Sequence, residues 1–329
     1  IPILSQASNR KCTIYAKEDK LYKPLYKKIP QDQKHKRLDN YLIYILKKTP
    51  KGLIYKLIRK GRIRVNAKRS KPHQKLEEGD VVTIPAGVQK TYERIKVSDS
   101  KQEKAINSII FENSDLIVVN KPSGISSHSG TNVTFGIVES LRAARSDIKK
   151  LDLVHRLDRA ASGCLVLSKK VDVLRYLQAN WADYNIVQKD YLALLRGRFC
   201  PKTNVIEVRL AEERVQQIKR SVPKASGKYS KTKILEKSYF GEYTFVKLRL
   251  STGRLHQIRA QASYLGHPLL GDEIYGDYEL NRSLREKGLK RLFLHANRIG
   301  IADRKGAIVV EAPLPQELTK FLEGLTTAP

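Results

Sequence analysis

The chain is poor in several residue types, and each shortage removes a class of function. Cysteine occurs at only three of 329 positions, Cys12, Cys164 and Cys200. They form no CxxC pair and no Cys/His spacing of the zinc-binding kind, so no metal site is expected. They read as free thiols of a reducing compartment. No apolar run reaches the roughly 20 residues that span a bilayer, so no membrane partner is expected. The apolar start, Ile1 to Leu4, is too short for the core of a signal peptide. GxGxxG is absent. Gly271 and Gly276 have phosphate-loop spacing, but Asp277 and Tyr278 follow where Lys and Ser/Thr would stand, which rejects a P-loop. Methionine is missing altogether, and its absence from the interior has no physical account.

Acidic residues are also in short supply. Asp and Glu number 33 against 63 Lys and Arg, for a net charge of +30. Solubility does not require so large a charge. A polyanionic partner does, and a nucleic acid is the expected one. The hydrophobic fraction of 41% supports a real core, and the length suits two domains acting as a monomer.

Residues 1–33 are basic, Tyr-rich and interrupted by Pro24 and Pro30, and read as an extension. From Lys34 the pattern changes. Leu38, Leu42, Ile45 and Leu46 share a helical face, and a second helix begins at Pro50 with Leu53, Ile54, Leu57 and Ile58 apolar. Gly61 suits the position after its end. Ile63 and Val65 then alternate with Arg62 and Arg64 as in a strand, and Val81–Ile84 reads as another. Fourteen Lys/Arg against one Asp fall between Lys36 and Lys75. Lys51, Lys56, Arg59, Lys60, Arg62 and Arg64 are therefore the expected phosphate-contacting residues of residues 34–86. Arg37-Leu38-Asp39 and Gly61-Arg62-Ile63-Arg64-Val65-Asn66 give this stretch a resemblance to an S4 RNA-binding domain.

Residues 87–105 are polar and read as a linker. Residues 106–329 read as one larger domain. Strands are expected at Leu116–Asn120, Cys164–Ser168, Tyr191–Leu195, Thr244–Leu250 and Ala307–Val310, and helices at Val171–Asn180, Arg254–Leu265 and Gln316–Leu322. Their uneven alternation predicts an α+β fold. Lys219 to Lys237, with seven Lys/Arg and one Glu, reads as a mobile RNA-contacting loop or a plain solvated one.

Chemistry concentrates in two segments. Val154-His155-Arg156-Leu157-Asp158-Arg159 places an acid between two arginines just before an apolar strand. Gly253-Arg254-Leu255-His256-Gln257-Ile258-Arg259 is followed by Gly266-His267-Pro268 and Gly271-Asp272-Glu273-Ile274-Tyr275-Gly276. With Asn120-Lys121-Pro122-Ser123-Gly124 and Lys189-Asp190-Tyr191-Leu192-Ala193, these motifs resemble the RluA family of pseudouridine synthases, and within it the large-subunit ribosomal RNA members of the C type. Leu255, Ala260-Gln261 and Ala160-Ala161 depart from the family's usual residues; the aspartate, tyrosine and arginine positions do not.

The resemblance implies a synthase domain built on a mixed, largely antiparallel sheet with flanking helices. It implies isomerisation of uridines in structured RNA, with no cofactor. Asp158 would be the carboxylate beside the sugar, Tyr191 would stack on the base and assist at C5, and Arg254 would pair with Asp158. A uridine in a helix must flip out to be reached, and Arg156 would fill the space it leaves. His155, Ile258 and Lys121 complete the expected substrate-binding set, with His155 and His256 also read as structural hydrogen-bonders. The catalytic route stays open between attack at the sugar, a glycal and attack at the base. Two other functions remain: an RNA-binding assembly factor without turnover, and a nuclease, for which Asp152 and Asp158 make a poor metal-binding cluster. The expected compartment is the cytoplasm, with the mitochondrial matrix as the alternative.

Overall fold

In a computed structural model, residues 24–46, 49–86, 88, 97–129, 135–216, 218–303 and 306–326 are described. The chain divides into two compact units between residues 96 and 97.

In the first unit, α1 (Leu38–Ile45) and α2 (Lys51–Arg59) form where the apolar spacing places them. Leu38, Leu42, Ile54 and Ile58 bury against Ile63, Val65, Leu76, Val82 and Ile84. Asp39 is buried on α1, where Arg37 forks onto its carboxylate at 3.1 and 2.6 Å and the Tyr55 hydroxyl of α2 donates to it at 3.1 Å. One acid thereby ties the two helices together. Four strands follow the order β1-β4-β2-β3: β1 (Leu25–Lys28), β2 (Arg64–Val65), β3 (Lys68–Arg69) and β4 (Val81–Ile84). Here the expected extension needs correction. Leu25–Lys28 pairs antiparallel with Val81–Ile84, and Ile29 is buried behind it. β1 is mostly exposed and held by its backbone, so it carries no apolar alternation to read.

The second unit opens with α3 (Asp99–Ile106), inside the stretch read as linker. Only Ala105 of that helix is buried, which is why its polar sequence suggested none. β5 (Ile109–Glu112), β6 (Leu116–Lys121), α4 (Ile137–Ala144), β7 (Asp152–Leu153), β8 (Ser162–Ser168), α5 (Val171–Ala179) and β9 (Val187–Leu195) follow. Then come β10 (Val205–Val215), β11 (Ile218–Pro223), β12 (Lys228–Phe240), β13 (Tyr243–Leu250), α6 (Gln257–Tyr264), α7 (Tyr278–Glu286), β14 (Leu294–Asp303), β15 (Gly306–Glu311) and α8 (Gln316–Thr326).

The strands form one sheet in the order β11-β10-β12-β13-β9-β14-β8-β6-β5, with β15 on β14 and β7 on β8. The β14–β8 pairing is parallel and the others are antiparallel, as expected of a mixed, largely antiparallel sheet. Alternate residues of β6 and β8 feed two cores. Ile117, Val119, Leu165 and Leu167 pack with Ile137 and Leu141 of α4 and Ile258 and Ala262 of α6. Leu116, Val118, Cys164 and Val166 pack with Leu177 of α5 and Val310 of β15. Gly163 must be glycine: its φ is +110°, and a Cβ there would meet the Ala296 carbonyl oxygen at 2.2 Å.

The expected basic loop from Lys219 to Lys237 is instead most of β11 and β12. The inward positions of β12 are Ser230, Thr232 and Ile234, all buried, while lysines occupy the outer face. Small polar residues on the inner face hid the two-residue period that large apolar ones would have shown.

Candidate active site

The loop carrying Asp158 is gripped from below by the turn after β6. Lys121 is fully buried, and its Nζ donates to the carbonyls of Pro122 and Ile125 at 2.9 Å, Ala161 at 2.6 Å and Arg159 at 3.5 Å. Ser123 Oγ donates to the Ala160 carbonyl, and Gly124 N and Arg159 Nε exchange hydrogen bonds with the carbonyls of Arg159 and Gly124. Ser127 Oγ holds both backbone groups of Leu157. Lys121 thus does not line the cleft, and its expected substrate contact is corrected: four carbonyls already occupy its ammonium. Burial and the Arg291 charge pull its pKa down to about 7.

Asp158 sits on the floor of a cleft of about 480 Å³ with a fifth of its side chain exposed. Its Oδ2 accepts from Arg259 Nη1 at 3.2 Å. Among the described residues, no donor reaches Oδ1. Arg259 is 3% exposed on α6, and its Nε and Nη2 fork onto Asp272 at 2.8 Å each. Burial works against the guanidinium charge, but Asp272 and Asp158 outweigh it and raise the pKa. Asp272 also accepts from Ile274 N and Tyr275 N at 2.9 and 3.0 Å. Gly271 lets the chain turn that acid inward: its φ is +72°, and the Arg291 carbonyl oxygen lies 2.1 Å from where a Cβ would stand.

Here the expected ion pair is corrected. Arg254 is exposed, and its Nε donates to the Tyr229 carbonyl at 2.9 Å; the cation on Asp158 is Arg259. The helix begins at Gln257, not Arg254, because His256 takes a left-handed φ of +49°. A signal for Arg259 was present in the sequence. Between Ile258, Ala260 and Ala262 it stands on a helix with a buried face, and a cation there needs an acid.

Tyr191 of β9 and Ile258 of α6, 9% and 5% exposed, line the cleft with Asp158, as do Arg156, His155 and Arg254. Burial, then the Asp158 charge, raises the Tyr191 pKa, so its phenol stays protonated at neutral pH. His155 stacks on Trp181 with ring centroids 4.3 Å apart, and its Nε2 accepts from Val166 N at 3.1 Å. Burial pulls its pKa down to about 3, which fits a neutral structural acceptor at the cleft wall. Lys51, Lys56, Arg59, Lys60, Arg62 and Arg64 are all exposed on the first unit, and none has a carboxylate partner among the described residues. Asp152 pairs with Arg142. Among the described residues, no group of three His, Cys, Asp or Glu side chains could hold a metal ion, and no helix is long and apolar enough to cross a membrane.

The arrangement offers a held carboxylate with one oxygen that no described residue donates to, an aromatic wall and a basic rim. Residues 115–264 match the model of the RNA pseudouridylate synthase family, and residues 36–82 that of the S4 domain. Ribosomal large subunit pseudouridine synthase C of Haemophilus influenzae is 43% identical over 302 residues, covering 90% of this chain and 94% of that protein. Its counterpart in Haemophilus ducreyi is 40% identical with the same coverage. A solved structure of human RNA pseudouridylate synthase domain containing 4 shares the fold, with a TM-score of 0.57 at 22% identity over 69% of this chain and 97% of that one. The chain belongs to the RNA pseudouridylate synthase family, with an S4 domain ahead of the synthase domain.

Proposed function

We propose that this chain isomerises specific uridines of large-subunit ribosomal RNA to pseudouridine, with Asp158 as the carboxylate at the sugar. The observation that carries this reading is the state of Asp158: Oδ2 is tied to a buried arginine, while Oδ1 has no donor among the described residues. The reaction breaks N1–C1′, turns the uracil and joins C5 to C1′. C5 gives up a proton and N1 gains one, so nothing is oxidised and no atom is lost from the nucleoside skeleton. A carboxylate fixed next to C1′ serves as nucleophile or as the counter-charge to the developing cation. Tyr191 forms the wall against which the uracil packs, and offers a protonated hydroxyl rather than a ready base. Arg156 fills the stack after the nucleotide flips. Arg254 takes a phosphate at the rim, and the six basic residues of the first unit bind the backbone elsewhere. The relatives' names supply the large-subunit RNA, and the chain acts on this reading as a cytoplasmic monomer.

The test is tritium release from large-subunit ribosomal RNA labelled at uracil C5, with EDTA present. Release matched by pseudouridine formation in intact strands is expected. Strand scission would favour a nuclease, and tight binding without release would favour an assembly factor.

A further inference from the structure

Tyr275 and His256 form a link to Asp158 that the reaction as described leaves unused. Ser221 N of β11 donates to the Tyr275 hydroxyl at 2.7 Å, and that hydroxyl lies 3.1 Å from His256 Nδ1. The phenol has one proton. With its oxygen accepting from Ser221, the hydroxyl can donate that proton to Nδ1, the arrangement that puts the ring hydrogen on Nε2. Nε2 faces Asp158 Oδ2 at 3.8 Å. The opposite tautomer would aim a lone pair at a carboxylate. Burial lowers the His256 pKa and so favours the neutral ring. The backbone of His256 is left-handed, a conformation that few residues other than glycine adopt but that Asn, Asp and His enter more readily than the rest. The Tyr275 ring lies over the Arg259 guanidinium at 5.2 Å and edge-on to His256 at 5.7 Å, so one tyrosine braces both groups that face Oδ2.

We propose that His256 is a positioning residue whose Nε2–H closes onto Asp158 Oδ2 when RNA binds. Arg259 and His256 together then hold Oδ2 and leave Oδ1 turned to the sugar. A separation of 3.8 Å exceeds a hydrogen bond, and unliganded sites commonly hold such pairs apart until substrate arrives. The link begins on β11, whose Lys219 lines the cleft and whose Ser221 Oγ donates to the Leu255 carbonyl at 2.5 Å. RNA contact with that strand therefore bears on both neighbours of the histidine. This proposal rests on the role given to Asp158.

Single-turnover tritium release from C5-labelled ribosomal RNA tests it, with His256→Gln, His256→Asn, Tyr275→Phe and Asp158→Asn compared with the unaltered protein. Glutamine puts an amide nitrogen near the place of Nε2. Asparagine tolerates the left-handed backbone but reaches only the place of Nδ1. The expected result is a rate within about threefold for His256→Gln and a loss of roughly 10- to 100-fold for His256→Asn and Tyr275→Phe, with half-saturating RNA concentration unchanged. Equal rates for the Gln and Asn variants, whether both fast or both slow, would overturn the proposal. NMR of protein labelled with 15N-histidine gives a second reading that no variant's folding can obscure. An Nε2–H tautomer at His256 is expected, and an Nδ1–H tautomer would contradict it. An active Asp158→Asn protein would instead remove the role of Asp158 itself, so the two failures are distinguishable.

Discussion

Replacing Arg259 with glutamine removes a cation from between two acids, and the cost can be worked from its contacts. The guanidinium is 3% exposed and makes three charge-assisted hydrogen bonds, two to Asp272 at 2.8 Å and one to Asp158 at 3.2 Å. Asp272 has no exposed side-chain surface and keeps two backbone donors, Ile274 N and Tyr275 N. Breaking a buried pair on one side costs about 3–5 kcal/mol. The two remaining donors put Arg259→Gln near the lower end, about 3 kcal/mol, or roughly 6–12 °C in Tm for a unit of this size. Activity falls as well, because Asp158 loses the donor that fixes Oδ2. One charged hydrogen bond corresponds to roughly 10- to 100-fold in rate. Arg254→Gln is the control. That side chain is exposed, with its Nε on one carbonyl, so Tm should hold and only the RNA concentration needed for half-saturation should rise. Differential scanning calorimetry and single-turnover tritium release on both variants are the assays. Loss of stability and rate in Arg254→Gln but not Arg259→Gln would refute the ion-pair assignment.

Three further outcomes follow from the same structure. Lys121→Met should destabilise the second unit by several kcal/mol, since it leaves four carbonyls without their buried donor; urea unfolding measures this, and unchanged stability with weakened RNA affinity would restore a substrate-binding role. Joint replacement of Lys56, Arg59, Lys60 and Arg62 by alanine should weaken RNA binding and flatten its log–log salt dependence, the slope falling by about 0.7–0.9 for each phosphate no longer neutralised, with the rate at saturating RNA unchanged in the tritium assay. Acidification should destabilise the protein through His295, which is fully buried with its pKa pulled down to about 4, chiefly by burial. Between pH 6.5 and 4 the unfolded chain binds the proton that the folded one refuses, so stability falls by about 1.4 kcal/mol per pH unit for this residue and is flat above that window. His155 acts in the same direction. His295→Gln should flatten the pH profile of urea unfolding; an unchanged slope would contradict the assignment.

Asp158, Tyr191 and Ile258 were named from their motifs, and the structure brings all three to the lining of one cleft. The partner of Asp158, Arg259, lies five residues beyond the arginine expected to pair with it. Arg254 and Arg259 belong to one motif, and only the helix start separates an exposed cation from a buried one. That start depends on a left-handed His256, which no apolar period announces. Asp272 and Tyr275 belong to the Gly-Asp-Glu-Ile-Tyr-Gly motif, yet their approach to Arg259 is a tertiary contact that spacing does not express. The apolar faces of α1 and α2 were readable. β1 and α3 were not, because one is held by its backbone and the other buries a single alanine. β12 was hidden by small polar residues on its inner face.

The central claim stands or falls on Asp158→Asn. The substitution keeps size and most hydrogen bonding while removing the charge and the nucleophile. C5 tritium release, filter binding and circular dichroism on one preparation give rate, affinity and folding together. The account predicts turnover reduced by more than ~10⁴-fold, RNA affinity nearly unchanged and a native spectrum. Substantial turnover by a folded Asp158→Asn protein would contradict it.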